Sequence, residues 1–302
     1  MSHPSSIAVL LNASAGTAHK HPHFETDLGD LFRAAGCDAE IIPLRAGQDP
    51  AGAARDAGAR VSIVVAGGGD GTVSAVAAGL AGSPAALGIL PLGTLNHFAK
   101  DLHIPLDLHQ AVAVVAARHV RSVDVGEVND RLFINNSSIG LYPDIVEERE
   151  TLRRQGYGKW PAMAIATFRV VRRYRGVAVR IDIDGRQRTW RTPFVVVGNG
   201  EYTLEGIRLG ARARLDQGTL FVYLSPRARA RDLPMLIARA MIGRASLSGA
   251  FEIVAARDLT IETRARTARR VRVALDGEVV TMRTPLRYHA RPGALQVVVP
   301  RT

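Results

Sequence analysis

Short apolar runs alternate with longer, half-polar stretches over the first third of the chain. Residues 7–11 (IAVLL) read as a buried strand, 24–35 as a helix and 39–44 as a second strand. An Ala-rich helix over 50–58 precedes a buried strand over 61–66 that runs into glycines. A helix over 73–80, a strand over 87–91 and a helix over 108–117 complete the series. Strands alternating with helices predict an α/β domain built on a doubly wound, mostly parallel sheet. Ligands of such sheets bind outside the carboxyl ends of the strands, where the glycines fall.

The pattern changes near Arg121. Short strands follow in series over 124–128, 132–136, 179–184, 192–197, 220–224, 251–254, 259–262, 271–275 and 295–300. Turn pairs such as Asp184-Gly185 and Asp276-Gly277 separate them, and helices over 160–174 and 231–242 interrupt them. Strands in series imply an antiparallel second domain, a sandwich or barrel. The expected division is 1–122 for the α/β domain and 123–302 for the β-rich domain. With no repeat and no low-complexity linker, the two are expected to abut with a cleft between them.

Composition narrows the function classes. Apolar residues at 47% against 22% charged describe a packed globular protein, and only 5% aromatics disfavour a base-stacking nucleic-acid module. A formal charge of +11 draws the chain to anionic partners, although an Arg-rich genome explains it equally well. One cysteine, Cys37, excludes an internal disulfide framework and a Cys-based zinc site. Residues 7–11 lack the basic flank of a signal peptide, and no apolar run approaches the ~18 residues that span a bilayer. A cytoplasmic protein is expected, meeting any lipid peripherally at the inner membrane face. No HExxH or Gly-x-Ser-x-Gly arrangement is present, which disfavours zinc peptidase and serine hydrolase chemistry. His19, His21 and His23 cluster near the N-terminus, as an exposed loop or a metal site.

The run Gly67-Gly68-Gly69-Asp70-Gly71-Thr72 joins a buried strand to a helix. Consecutive glycines let backbone N–H groups approach a phosphate, and the helix N-terminus adds positive potential. It is neither a P-loop nor a dinucleotide fingerprint. Asp70 would repel phosphate unless a metal ion or hydroxyl proton intervened, so it is a candidate for handling Mg2+ around a nucleotide. The plainer reading is a turn with Asp70 as helix cap. A second loop, Gly93-Thr94-Leu95-Asn96-His97, leaves the next strand in the same direction. There Thr94 and Asn96 would bond a base or sugar, or hold the first loop in shape. Asn12-Ala13-Ser14-Ala15-Gly16 leaves the first strand likewise. Three such loops at strand carboxyl ends predict a nucleotide site.

These residues carry a resemblance. Gly68-Gly69-Asp70-Gly71-Thr72 resembles the GGDGT signature of diacylglycerol, sphingosine and NAD kinases, and residues 91–99 resemble the PLGTxNDFA element of the lipid kinases. Residues 12–16 resemble their NPxSG turn, and Asp276-Gly277-Glu278 their DGE element. The chain is thus similar to bacterial members of the diacylglycerol kinase catalytic-domain family from end to end. The resemblance implies an NAD-kinase-like nucleotide domain, a C-terminal β-sandwich, and ATP and lipid meeting between them. It implies ATP and Mg2+ as cofactors, Glu278 as proton acceptor from the lipid hydroxyl, and Asp276 shaping the turn or assisting the metal network. Without it, Asp276-Gly277-Glu278 reads as an ordinary hairpin.

Three positions depart from the family pattern. Ser74-Ala75 stands where Asn-Glu is common, and His97 replaces an acid of the expected metal network. Gln217 stands for a ligating Asp, leaving Asp216 as the remaining acid of a structural metal site. The expected function is therefore ATP-dependent phosphorylation of a lipid hydroxyl, diacylglycerol-like or related, at a membrane surface. No nucleic acid partner and no transmembrane segment are expected, and a homodimer is left open. The alternatives are a nucleotide-binding regulator that has lost turnover, and an NAD kinase, which the residues at 91–99 and 276–278 argue against. The helix over 160–174 places Trp160, Met163, Ala164, Thr167, Val171 and Tyr174 on one face, with Arg169, Arg172 and Arg173 opposite. That basic side reads as a solvated face or a membrane contact.

Overall fold

Apolar runs without a polar face must be covered on both sides, and the computed structural model shows how this chain covers them. It describes residues 7–12, 23–45, 47–174, 176–183, 185–205, 208–212, 214–225, 252–263 and 270–301. Residues 13–16 of the first turn, His19, His21, Asp184, Phe251 and the expected helix over 231–242 lie outside the described residues.

The first elements are β1 (Ile7–Leu11), α1 (Phe24–Ala34), β2 (Ala39–Pro43), α2 (Pro50–Gly58), β3 (Ile63–Gly68), α3 (Asp70–Leu80), β4 (Ala86–Pro91), α4 (His97–Asp101) and α5 (Leu108–Ala117). After β5 (Val120–Val128), β6 (Arg131–Phe133) and β7 (Asn136–Gly140) come the helices α6 (Leu141–Arg154) and α7 (Lys159–Arg173). The remaining strands are β8 (Val177–Ile183), β9 (Arg186–Thr192), β10 (Phe194–Asn199), β11 (Tyr202–Glu205), β12 (Arg208–Arg212) and β13 (Leu220–Leu224). They continue with β14 (Glu252–Ala256), β15 (Asp258–Thr263), β16 (Arg270–Leu275), β17 (Glu278–Arg283) and β18 (Leu286–Val298).

The chain divides into two compact units, Met1–Val125 with Arg291–Thr302, and Gly126–Ala290. Where the sequence pattern puts 123–302 in the second domain, the C-terminal segment belongs to the first. The reason is a ladder: the end of β18 lies parallel to β4, with Val297 opposite Leu87.

In the first unit the sheet runs β2-β1-β3-β4 and then the end of β18, all parallel. β1, β3 and β4 are buried along their whole lengths, as continuous apolar runs require. The chain leaves β1 towards β2 and leaves β3 towards β4, so the strand order reverses between β1 and β3. Such a reversal opens a crevice at the carboxyl ends of the strands. Helix starts follow local chemistry. Asp49 caps α2 by accepting Ala51 N–H at 3.0 Å, with Pro50 in the first turn, and Asp107 caps α5 through Gln110 N–H at 3.0 Å.

In the second unit, β14-β13-β10-β7-β16-β17 form one antiparallel sheet. β9, β8, β15 and the first part of β18 form another antiparallel set. Val179, Ile181, Leu259, Ile261 and Tyr288 from the second set pack with Ile139, Val195, Val222 and Val273 from the first in one core, which makes a β-sandwich. Two features escape the sequence pattern. α6 is a helix where only an acidic stretch is evident, and β9, β17 and the first half of β18 are strands with strongly polar faces. In β18 buried Leu286, Tyr288 and Ala290 alternate with exposed Arg287, His289 and Arg291.

Candidate functional site

The loops after β1, β3 and β4 are stitched together at the strand reversal. Asn12 N–H donates to Gly67 O at 2.8 Å, and its Nδ2 donates to Thr72 Oγ1 at 3.1 Å. Thr72 reaches that position because Gly68 has no side chain; a Cβ there would stand 2.6 Å from Thr72 Oγ1. The loops after β3 and β4 approach through Gly69 and Gly93, where a Cβ on Gly93 would lie 2.5 Å from Gly69 Cα. Asp70 completes the junction. Its Oδ2 accepts Asn96 N–H at 3.0 Å and its Oδ1 accepts His97 N–H at 2.6 Å.

Asn96 occupies the left-handed region, φ 51°, a conformation Asn tolerates better than most residues. Its Oδ1 accepts Gly93 N–H at 3.1 Å, and its Nδ2 donates to Pro91 O at 3.2 Å and Gly93 O at 2.9 Å. Both amide donors are spent inside the loop, so of the two expected roles for Asn96 the geometry supports loop-shaping over reading a base or sugar. Thr94, His97 and Gly71 stay exposed. Gly71 opens the first turn of the eleven-residue α3, and a Cβ there would meet nothing within 4 Å. The first N–H groups of a helix lack intrahelical partners, and an exposed helix start such as this one suits a phosphate.

Among the described residues no three His, Cys, Asp or Glu side chains gather as a metal cage. Mg2+ arriving with a nucleotide needs only one or two protein carboxylates beside the phosphates. Asp70, half-buried and with a second acceptor position left on each oxygen, fits that demand. Asp216, the remaining acid of the expected structural metal site, is exposed and its carboxylate faces Arg214 Nε at 3.1 Å.

Glu278 and Asp276 lie in the second unit. Asp276 and Gly277, with φ of 47° and 93°, form the two-residue turn joining β16 to β17, with Leu275 opposite Glu278. Asp276 Oδ1 accepts the N–H groups of Asn135 and Asn136 at 2.8 and 3.0 Å, and Oδ2 accepts Ile134 N–H at 2.9 Å. Of the two roles expected for Asp276, this geometry supports shaping the turn: the carboxylate pins the entry to β7. Glu278 is exposed and keeps its candidacy.

Sequence reasoning missed Arg212, which is 1% exposed. It grips the same segment from the other side, donating to Ile134 O at 2.6 Å, Asn199 O at 2.7 Å and Asn135 Oδ1 at 2.8 Å. Its guanidinium lies 5.5 Å from the Tyr202 ring centroid. Nothing in the flanking sequence separates Arg212 from its exposed neighbour Arg214. Burial pushes the Tyr223 hydroxyl up to about 12, although Tyr202 N–H donates to it at 2.8 Å. Burial also raises Tyr174 and Tyr288, and raises Asp144 against the opposing pull of Arg272.

The helix expected over 160–174 exists, with a different face inward. Ala162, Ala166 and Val170 are buried, whereas Trp160 is 79% exposed. Arg169 and Arg173 turn back onto Glu148 of α6, at 3.0 and 3.9 Å.

The fold and its glycine-bearing loops define a two-part protein with an α/β half and a β-sandwich half. Residues 6–128 match the profile of the diacylglycerol kinase catalytic domain. Residues 148–299 match that of the YegS C-terminal NAD kinase beta sandwich-like domain. The chain belongs to the diacylglycerol kinase catalytic-domain family. It is 29% identical over 193 residues to a diacylglycerol kinase of Staphylococcus saprophyticus, covering 63% of each chain. It is 30% identical over 183 residues to one of Staphylococcus haemolyticus, covering 60% of this chain and 55% of that one. It therefore spans between 55% and 63% of the length of these curated relatives. A crystal structure titled as a putative diacylglycerol kinase from Bacillus anthracis str. Sterne superposes with a TM-score of 0.75 at 24% identity, over 99% of both chains. Among the described residues no helix is long and apolar enough to cross a membrane.

Proposed function

We propose that the protein is an ATP-dependent kinase that transfers the γ-phosphate to a lipid hydroxyl, diacylglycerol-like or related. The observation that carries the reading is the junction of three loops at the strand reversal, held by Asn12–Thr72, Gly69–Gly93 and Asp70 with Asn96 and His97. Gly71, exposed at the start of α3, supports placing the phosphates there. Gly67, Gly68, Gly69, Gly71, Thr72, Gly93 and Thr94 border the nucleotide, and Asp70 shares Mg2+ with its phosphates. Glu278, exposed at the end of a fixed turn, takes the hydroxyl proton. Support for the lipid acceptor comes from family membership and from residues 91–99 and 276–278.

A second reading, nucleotide binding without turnover, is favoured by His97 at the position of an expected acid. Incubating the purified protein with labelled ATP and a total lipid extract separates the two. A labelled lipid is expected. ATP binding with no labelled lipid, from extracts that a known lipid kinase does label, would leave the second reading standing.

A further inference from the structure

We infer that the outer ridge of α7, Trp160–Ala164–Phe168–Arg172, docks the protein on an anionic bilayer surface. α6 and α7 form a helical hairpin, with Leu152, Ala162 and Ala166 in one contact cluster and Leu141 and Val170 in another. α6 lies on β7, β16 and β17, and α7 lies on α6. With Ala162, Ala166 and Val170 turned inward, positions four residues apart on the opposite side face out. There Trp160 is 79% and Phe168 66% exposed, and Tyr157 just before the helix is 46% exposed. Aromatic rings of this size are costly to leave in water, and Trp and Tyr are the residues that settle at membrane interfaces.

Charge supports the choice of occupant. Over residues 141–174 seven Lys and Arg stand against four Asp and Glu. All four acids are engaged inside the unit: Asp144 and Glu147 by Arg272, Glu148 by Arg169 and Arg173, Glu150 by Arg149 and Arg153. Arg172, on the ridge, and Arg154, at the hairpin end, are exposed and meet no acid among the described residues. A ridge about 12 Å long between Trp160 and Phe168 carries aromatic anchors beside uncompensated cations, the pattern of an interfacial helix. A second copy of the chain fits less well. Two aromatic side chains cover roughly 300–500 Å², short of the ~800 Å² per partner of a stable protein interface.

The inference rests on the lipid-acceptor reading for its purpose, but its test reads binding and not turnover. The full chain and Trp160→Ser/Phe168→Ser are sedimented with vesicles of equal parts phosphatidylglycerol and phosphatidylcholine. The wild type is expected to bind, more weakly as salt rises, and the double variant at least about 10-fold more weakly. Arg172→Glu should weaken binding to these vesicles and leave neutral vesicles unaffected. Quenching of tryptophan fluorescence by brominated lipid should disappear in Trp160→Phe, because the other tryptophan, Trp190, is hydrogen-bonded to Glu252 at 3.1 Å. Both sites are exposed, so unchanged circular dichroism and melting are expected of every variant. Equal vesicle binding by the double variant would overturn the inference. So would a shift from dimer to monomer on gel filtration with vesicle binding intact, which would make the ridge an interface between copies. A protein that binds vesicles through this ridge yet labels no lipid would uphold the docking and remove the kinase reading.

Discussion

Asp70 and Asp276 accept backbone N–H groups with both carboxylate oxygens, and that shared geometry separates them from Glu278. Asp70→Asn keeps one oxygen for Asn96 or His97 and turns an amide N–H2 towards the other donor. It should cost about 1–3 kcal/mol in urea unfolding and abolish phosphate transfer. Near-normal ATP turnover by this variant would detach the loop from the nucleotide. Asp276→Ala strands three N–H groups at Ile134, Asn135 and Asn136, and should cost about 2–4 kcal/mol. Glu278→Gln should change stability by no more than about 0.5 kcal/mol while slowing the chemical step roughly 10²–10⁴-fold. Unfolding curves and single-turnover transfer on the same three proteins test the division. A Glu278→Gln enzyme with unaltered turnover on its lipid would return that residue to being an ordinary hairpin position.

At the scale of elements, Gly93 and Gly71 of the candidate site have opposite mechanical roles. Gly93 is where the loops after β3 and β4 touch, so a methyl group there collides with Gly69 Cα at 2.5 Å and with Asn96 Oδ1 at 2.8 Å. Gly93→Ala should therefore lower the melting temperature whether or not ATP is present, by about 1–3 kcal/mol of stability. Gly71 faces open space in the first turn of α3, and alanine is the better helix former by about 0.8–1 kcal/mol. Gly71→Ala should melt no lower than the wild type without ligand, yet lose most of the ATP-induced rise because its methyl group enters the phosphate's space. An ATP-induced shift equal to the wild type's would show that the phosphate lies elsewhere. The α6–α7 hairpin illustrates how an element hides in a sequence. Its acids look like a solvated stretch until Arg272, Arg169 and Arg173 are seen to satisfy them.

For the molecule as a whole, buried Tyr223 and Tyr288 and half-buried Tyr174 make the second unit sensitive to alkali. Tyr223 titrates near 12 when folded against an ordinary value of 10.0, and Tyr174 and Tyr288 are raised further. A raised folded value means the native state holds its proton longer than the unfolded chain. The stability this represents is present in full below about pH 10 and is lost as pH rises through 12. Urea midpoints should fall across that window together with the appearance of tyrosinate absorbance. Tyr223→Phe should be weaker at neutral pH, having lost the acceptor for Tyr202 N–H, and should show a shallower alkaline decline. An unchanged slope would mean Tyr223 ionises freely in the folded protein.

The family, the α/β-then-β order and the glycine loops were legible in the sequence because each is coded locally. A strand covered on both faces needs a continuous apolar run, as in β1, β3 and β4, and a close backbone approach needs glycine, as at Gly68, Gly69 and Gly93. β9, β17 and the first half of β18 escaped because a strand with one exposed face carries too many Arg and Glu residues to stand out from a loop. What only the tertiary structure decided is the partner of each polar group. Asp70 meets Asn96 across 26 positions, and Asp276 meets Asn135 across 141. Arg212 is buried while Arg214 is not, and the return of 291–298 to the first sheet depends on the register Val297 keeps with Leu87. Hydrophobic periodicity records which face of an element is covered. It carries no record of what covers it, because hydrogen-bond and ion-pair partners are selected by distance in space after the chain has folded.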